Sequence, residues 1–283
     1  MLSAVASPPG ADALPSVGPT FTESVRPSEV RPGGAFLVDL VGSASAANAS
    51  VGGRRFQFFV MYPGWLRVFA ALPLEAEAGD FPILLDITGD DGSHRTVDLP
   101  VHVPAVEFPE TQLKVRRRFV HVPKEGRART RLDKIAIRRA YDVPFRPPRF
   151  EAMFASPRPG AEITSPFGQR RVFNGELESQ HQGLDLNGRV GEPILVANAG
   201  TVRMARDCYT SGKTVIVDHG ADVFTAYFHM SAMKVKPGQV VHRGQLIGLV
   251  GSTGNSTGPH THFEVRVDNS PVDPMQMLPA VTS

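Results

Sequence analysis

The chain reads as all-β, with two antiparallel β regions joined by a basic connector that holds one short helix. Three features predict this. Its 27 Gly and 25 Pro break the sequence at short intervals, the apolar residues between them alternate with polar ones at the period of a strand, and only one stretch has a helical period. The 283 residues, 41% hydrophobic and 20% charged, have room for about two domains with cores of their own.

Residues 1–20 read as a flexible segment ending in Pro and Gly turns, and residues 21–103 as an Ig-like β-sandwich. Strands are predicted at 35–40, 56–62, 66–70, 81–88 and 96–103. Between them stand Pro32-Gly33-Gly34, Pro63-Gly64, Gly79-Asp80 and Gly89-Asp90-Asp91-Gly92, at the spacing of an antiparallel sandwich. No catalytic grouping occurs there. His94 and His102 stand alone, and Trp65 is expected to anchor the core. Residues 104–155 form the connector, bounded by Pro clusters. Within it a helix is predicted over 129–141, with Leu132, Ile135, Ala136 and Ala140 on the buried face. From 156 to 283 the pattern of short strands and Gly turns returns as a second all-β domain.

Several classes are excluded. A single cysteine, Cys208, rules out a disulfide framework within one chain. No apolar run approaches the roughly 18 residues of a membrane span. The opening residues lack the basic and apolar regions of a leader, but Ala4-Val5-Ala6 fits a small-residue cleavage site, as in an export product whose leader has been trimmed. The net charge of +2 conceals an excess of ten positive charges over residues 111–150, including Arg116, Arg117 and Arg118. Such a run could meet a polyanion: nucleic acid, acidic lipid or an anionic wall polymer such as teichoic acid. A solvated surface is the plainer expectation, and without interleaved aromatic residues for base stacking no nucleic acid is expected.

The chemistry concentrates in His181 and Asp185 of His181-Gln182-Gly183-Leu184-Asp185, His229 of Tyr227-Phe228-His229, and His260 and His262 of His260-Thr261-His262. Catalytic zinc commonly has three His or carboxylate ligands from separate segments, and His181, Asp185 and His262 meet that description. On a strand, residues two apart share a face, so His260 and His262 project together while Thr261 points away. His121, His219 and His242 are read as packed or surface residues.

Gly251-Ser252-Thr253-Gly254-Asn255-Ser256-Thr257-Gly258-Pro259 runs directly into His260-Thr261-His262-Phe263-Glu264-Val265. This segment resembles the signature of the lysostaphin and LytM-type zinc peptidases of the bacterial cell wall, and the resemblance extends over about residues 158–275. Residues 163–170 resemble their entry strand, residues 181–185 their first metal motif, residues 215–229 the hairpin bearing a catalytic His, and residues 244–248 the strand before the glycine loop.

The resemblance implies a C-terminal LytM-type domain in which His181, Asp185 and His262 hold Zn2+ while His229 and His260 flank the metal-bound water. His260 is favoured as general base and His229 as the stabilising or orienting partner, with an exchange of roles open. It further implies hydrolysis of peptidoglycan cross-links in an extracytoplasmic location. Two positions depart from the pattern. Thr261 stands where Leu is common, and Phe173-Asn174-Gly175-Glu176 lacks the Tyr that some lytic members place before the first metal His. Glu264 is expected to be a surface or ion-paired strand residue, with support of a metal ligand as the alternative. Arg170 and Asn174 are candidates for lining a groove.

A phosphate-binding reading of the glycine loop fails because the Gly-Lys-Ser/Thr ending is missing. A lipoyl-type carrier with Lys213 at a hairpin tip would leave all five metal-site positions without a role. The main alternative is a non-catalytic wall-binding regulator that activates other hydrolases, and retention of all five residues argues against it.

Overall fold

The computed structural model describes residues 20–115, 121–150, 153–175 and 177–278. The proposed flexible segment up to residue 19 and Arg116, Arg117 and Arg118 lie outside the described residues.

The N-terminal region comprises eight strands: β1 (Phe21–Arg26), β2 (Ala35–Gly42), β3 (Ala44–Val51), β4 (Arg54–Gln57), β5 (Phe59–Tyr62), β6 (Trp65–Ala71), β7 (Gly79–Gly89) and β8 (His94–Val103). They form two four-stranded antiparallel sheets, ordered β1-β2-β6-β5 and β4-β3-β7-β8. Alternation buries Phe36, Val38 and Leu40 from one sheet and Ile83, Leu85 and Ile87 from the other.

The predicted strand 56–62 is divided at Phe58. Residues before it pair with β3 and those after it with β6, so the chain changes sheet there. Strand β3 is an unpredicted element. Its sequence ASAANASV has little β-propensity, and pairing with β4 and β7 rather than intrinsic preference makes it a strand. Trp65 is half-buried instead of anchoring the core. Its indole donates to Asp39 at 2.8 Å, and Arg67 lies 4.9 Å over its ring.

The connector carries β9 (Glu110–Leu113) and helix α1 (Lys124–Tyr141), five residues longer at its start than predicted. The predicted apolar face is also rotated. Leu132 and Ile135 are exposed, whereas Asp133, Ala140 and Tyr141 are buried. The cause is Asp133, whose carboxylate accepts from Arg206 at 2.7 Å and from the Tyr209 backbone at 2.8 Å, turning a polar position inward.

The remaining strands are β10 (Ile163–Ser165), β11 (Arg170–Phe173), β12 (Leu177–Gln180), β13 (Leu184–Asn187), β14 (Pro193–Leu195), β15 (Gly200–Cys208), β16 (Gly212–Asp218), β17 (Val223–Met230), β18 (Ala232–Met233), β19 (Val240–Val241), β20 (Leu246–Leu249), β21 (His260–Val267) and β22 (Ser270–Val272). The main sheet runs β10-β13-β21-β17-β16-β15-β19, with β22 on β21. Two three-stranded sheets, β12-β11-β9 and β14-β20-β18, flank it.

One face of the main sheet buries Val215, Val217, Tyr227, Phe263 and Val265 in an apolar cluster that continues into the sandwich. The other face packs Met204, Ile216, Phe224 and Ala226 beneath Ala140 and Tyr141 of α1. The sandwich is tied on by Arg54, which bonds to Asp268 and Ser270, and by edge contacts between Phe69, Phe150 and Phe154. Among the described residues, no helix is long and apolar enough to cross a membrane.

Candidate metal centre and its cleft

Antiparallel register brings the three ligand candidates together. Asp185 on β13 stands opposite His262 on β21, and His181 sits on the turn leading into β13. Gly183 in that turn lies against the Phe263 carbonyl and the His262 ring, where a Cβ would collide with both. His181 Nε2, Asp185 Oδ1 and His262 Nδ1 then converge, with separations of 2.9 Å between the nitrogens, 3.1 Å from His181 to the carboxylate and 2.8 Å from His262 to it. All three residues are buried.

The outer hydrogen bonds fix which imidazole nitrogen faces inward. His181 Nδ1 lies 2.8 Å from the Pro166 carbonyl, which can only accept, so Nδ1 carries the proton and Nε2 is bare. His262 Nε2 donates to Glu264 at 3.1 Å, which leaves Nδ1 bare. Glu264 is buried and also accepts from Arg266 at 2.9 Å, so it is both ion-paired and a support for His262. The Arg266 guanidinium in turn lies 5.1 Å over the ring of Tyr141 at the end of α1.

Three lone pairs directed at one point require a positive charge between them. The electrostatics express that demand. A proton taken up by the inward nitrogens can supply it: burial would raise the Asp185 pKa, but the protonated imidazoles of His181 and His262 beside it hold it far below the usual carboxylate range. Burial would lower the His262 pKa, but Asp185 and Glu264 raise it to about 9. Burial lowers that of His181. With that proton displaced, two neutral imidazoles and one carboxylate from separate segments suit a divalent metal, and the hydrogen-bonded partners behind them orient the ligands.

His229 and His260 lie beside this set, their rings 4.9 Å apart. Each presents a bare Nε2, because Nδ1 donates to a backbone carbonyl: Thr253 for His229 at 2.8 Å, and Gly258 for His260 at 2.9 Å. His260 Nε2 is 3.6 Å from Asp185 Oδ1. Simple alternation along β17 would send His229 to the core face with Tyr227. A left-handed backbone, φ 61°, turns it into the cleft instead. Burial and the neighbouring His260 and His262 depress its pKa to about 3, so it is neutral near pH 7. The glycine-rich loop therefore acts through its carbonyls, fixing both histidines.

Four of the five side chains, Asp185, His229, His260 and His262, line one cleft of about 540 Å3, together with residues that sequence reasoning missed. Arg171 donates to Asp185 Oδ2 at 2.7 Å and to Ser165 at 2.6 Å, clamping the ligand carboxylate from behind. The groove candidate Arg170 is exposed and does not line the cleft, and an adjacent Arg pair in a sequence gives no sign of which member faces inward. Asn174 does not line the cleft; its side chain bonds both backbone groups of Val115 at 2.9 Å. The opposite face at Thr261 is fully buried, and its hydroxyl has no hydrogen-bond partner among the described residues.

Residues 179–274 match the model of peptidase family M23. Over 115 residues the chain is 40% identical to peptidoglycan DD-endopeptidase ShyA of Vibrio cholerae, a match covering 40% of this chain and 27% of that protein. It is 36% identical over 115 residues to the DD-carboxypeptidase/endopeptidase Mpg of Neisseria meningitidis, covering 41% of this chain and 26% of that one. The matched region spans about a quarter of these curated relatives. Among solved structures, a putative peptidase M23 from Pseudomonas aeruginosa aligns with TM-score 0.65 and 29% identity, over 87% of this chain and 93% of that chain.

Proposed function

We propose that this chain, whose residues 179–274 match peptidase family M23, is a zinc-dependent endopeptidase that hydrolyses peptide cross-links of bacterial peptidoglycan outside the cytoplasm. The observation that carries the proposal is the convergence of three bare donor atoms beside two further imidazoles in one cleft. The similarity to the peptidoglycan DD-endopeptidase of Vibrio cholerae supplies the substrate class.

His181, Asp185 and His262 would hold the zinc, which when bound lowers the pKa of a water and polarises an amide carbonyl. The chain's own groups do the rest. His260, the more exposed of the two flanking histidines, takes a proton at Nε2 and returns it to the departing amine. His229, held neutral by burial, orients the same water by accepting at Nε2. Both rings are pinned through Nδ1, so neither has to reorient for proton transfer. Arg171, Glu264 and Arg266 keep the ligand atoms in place.

We assign the N-terminal part, residues 21–103, as an Ig-like positioning module on its strand order, residues 104–155 as the connector, and residues 156–283 as the peptidase domain. A non-catalytic regulator would have no need of two pinned, bare imidazoles beside the metal ligands. Incubation of the zinc-loaded chain with purified sacculi, followed by mass spectrometry of the released muropeptides, tests the reading. Loss of cross-linked dimers with new peptide termini is expected; intact dimers with a zinc-loaded protein would reject it.

A further inference from the structure

We propose that the connector strand β9 forms a fixed wall of the substrate cleft, and that Thr111, Leu113 and Val115 contact the bound peptide beside its scissile bond. The proposal rests on the endopeptidase reading above and adds to it a specificity surface outside the segment that matches the peptidase family.

The chain alternates here at strand period. Thr111, Leu113 and Val115 are half-buried and line the cleft, whereas Glu110, Gln112 and Lys114 are exposed. Strand β9 adds to β11 in parallel, with Glu110 opposite Arg170, Thr111 opposite Arg171, Gln112 opposite Val172 and Leu113 opposite Phe173. Both of its ends are fastened. Before it, Phe108 packs over Gly168, whose φ of 78° and absent side chain leave room for the ring. After it, Asn174 bonds Val115 at both backbone groups, and the Asn174 amide donates to the Leu113 carbonyl at 2.9 Å. Along its length, Gln169 Nε2 donates to Thr111 at 2.8 Å, and the Gln169 carbonyl oxygen accepts from Ser165. A strand held by a ladder and two end clamps is a wall, not a lid.

The same cleft is lined by the glycine-rich loop from Asn255 to Pro259 and by the pinned imidazoles of His229 and His260. Among the described cleft residues the only carboxylate, Asp185, and the only guanidinium, Arg171, are bonded to each other. The connector side therefore offers a peptide apolar contact from Leu113, Val115 and Phe173 and one hydroxyl from Thr111. This chemistry fits an extended peptide with small uncharged aliphatic side chains, such as the methyl of alanine.

The test uses the full chain and a purified muropeptide dimer cross-linked through D-alanine. Leu113→Asp, Val115→Asp and the uncharged Leu113→Asn are compared with Gln112→Asp and Lys114→Asp on the outward face. Zinc affinity by chelator competition and dimer binding by calorimetry on zinc-free protein accompany the kinetics. The inward variants are expected to raise KM and weaken dimer binding by about tenfold or more, with zinc affinity unchanged, and the outward ones to stay within about twofold. If the wild type cleaves the dimer and the inward variants bind and cleave it equally well, the wall assignment falls alone. If the zinc-loaded wild type neither binds nor cleaves the dimer, the endopeptidase reading falls and the wall with it.

Discussion

The N-terminal sandwich and the main C-terminal sheet are both antiparallel and both rich in buried Val, Leu and Phe, but they differ in what else they bury. In the sandwich Asp39 is the buried charged residue, shared by Arg67, Trp65 and Arg26. Around the main sheet the buried set includes His181, Asp185, Asp218, His219, His229, His262 and Glu264. Burying a polar group costs free energy unless it is fully paired. The sandwich avoids that cost and reads as scaffold, while the main sheet accepts it to hold groups that can do chemistry.

The contrast is tested most severely at His260. His260→Ala should retain zinc but lose about 10²–10⁴-fold in turnover of cross-linked muropeptide, the range for removing a general base; a loss under about tenfold would transfer the role to His229. Asp39→Ala should do the reverse. It leaves the largely buried Arg67 guanidinium and the Trp65 indole N–H without their partner, and the exposed Arg26 stays solvated, so denaturant unfolding should show a loss of about 3 kcal/mol, while kcat of the folded fraction stays unchanged. A drop in kcat at constant stability would mean that the sandwich takes part in turnover.

A third difference appears in pH dependence. His219 is fully buried between Ala199 and Thr225, and burial depresses its pKa to about 4. The unfolded chain binds the proton first as pH falls below the ordinary value near 6.5, so stability is lost between about pH 6.5 and 4. The full effect is about 3 kcal/mol. Asp222 opposes it, because burial and Asp268 raise its pKa to about 6, so that its neutral form favours the folded state as pH falls. The informative quantity is therefore the difference between wild type and His219→Gln across this window, measured by unfolding of zinc-free protein. A flat difference would contradict the assignment.

Much of this organisation could be read from the residues alone. The resemblance to the LytM-type signature singled out the candidate side chains, and four of them could be placed locally because His181-x-x-x-Asp185 and His260-x-His262 each lie on one strand or its entry turn. Arg171 and the wall formed by β9 were not legible. They depend on parallel pairing of segments about 60 residues apart, and nothing local in Glu110-Thr111-Gln112-Leu113 marks that partner. The face of α1 was misjudged because burial of Asp133 depends on Arg206 and Tyr209, which no helical period records. His229 was identified by its motif, although alternation alone would have turned it into the core.

The smallest expected effect concerns Thr261, whose buried hydroxyl has no partner among the described residues. Thr261→Val removes the unsatisfied group at constant shape and should stabilise the chain by about 1 kcal/mol, with turnover unchanged because the side chain faces away from His260 and His262. Destabilisation would show that the hydroxyl is satisfied by water.

The most direct measurement is zinc stoichiometry and affinity of the full chain and of His181→Ala, taken in parallel with clearing of purified sacculi by both. About one zinc per chain, lost in the variant together with clearing, is expected if the converging donors are the catalytic metal site. A wild-type chain that clears sacculi without zinc, or a variant that keeps both metal and clearing, would contradict it.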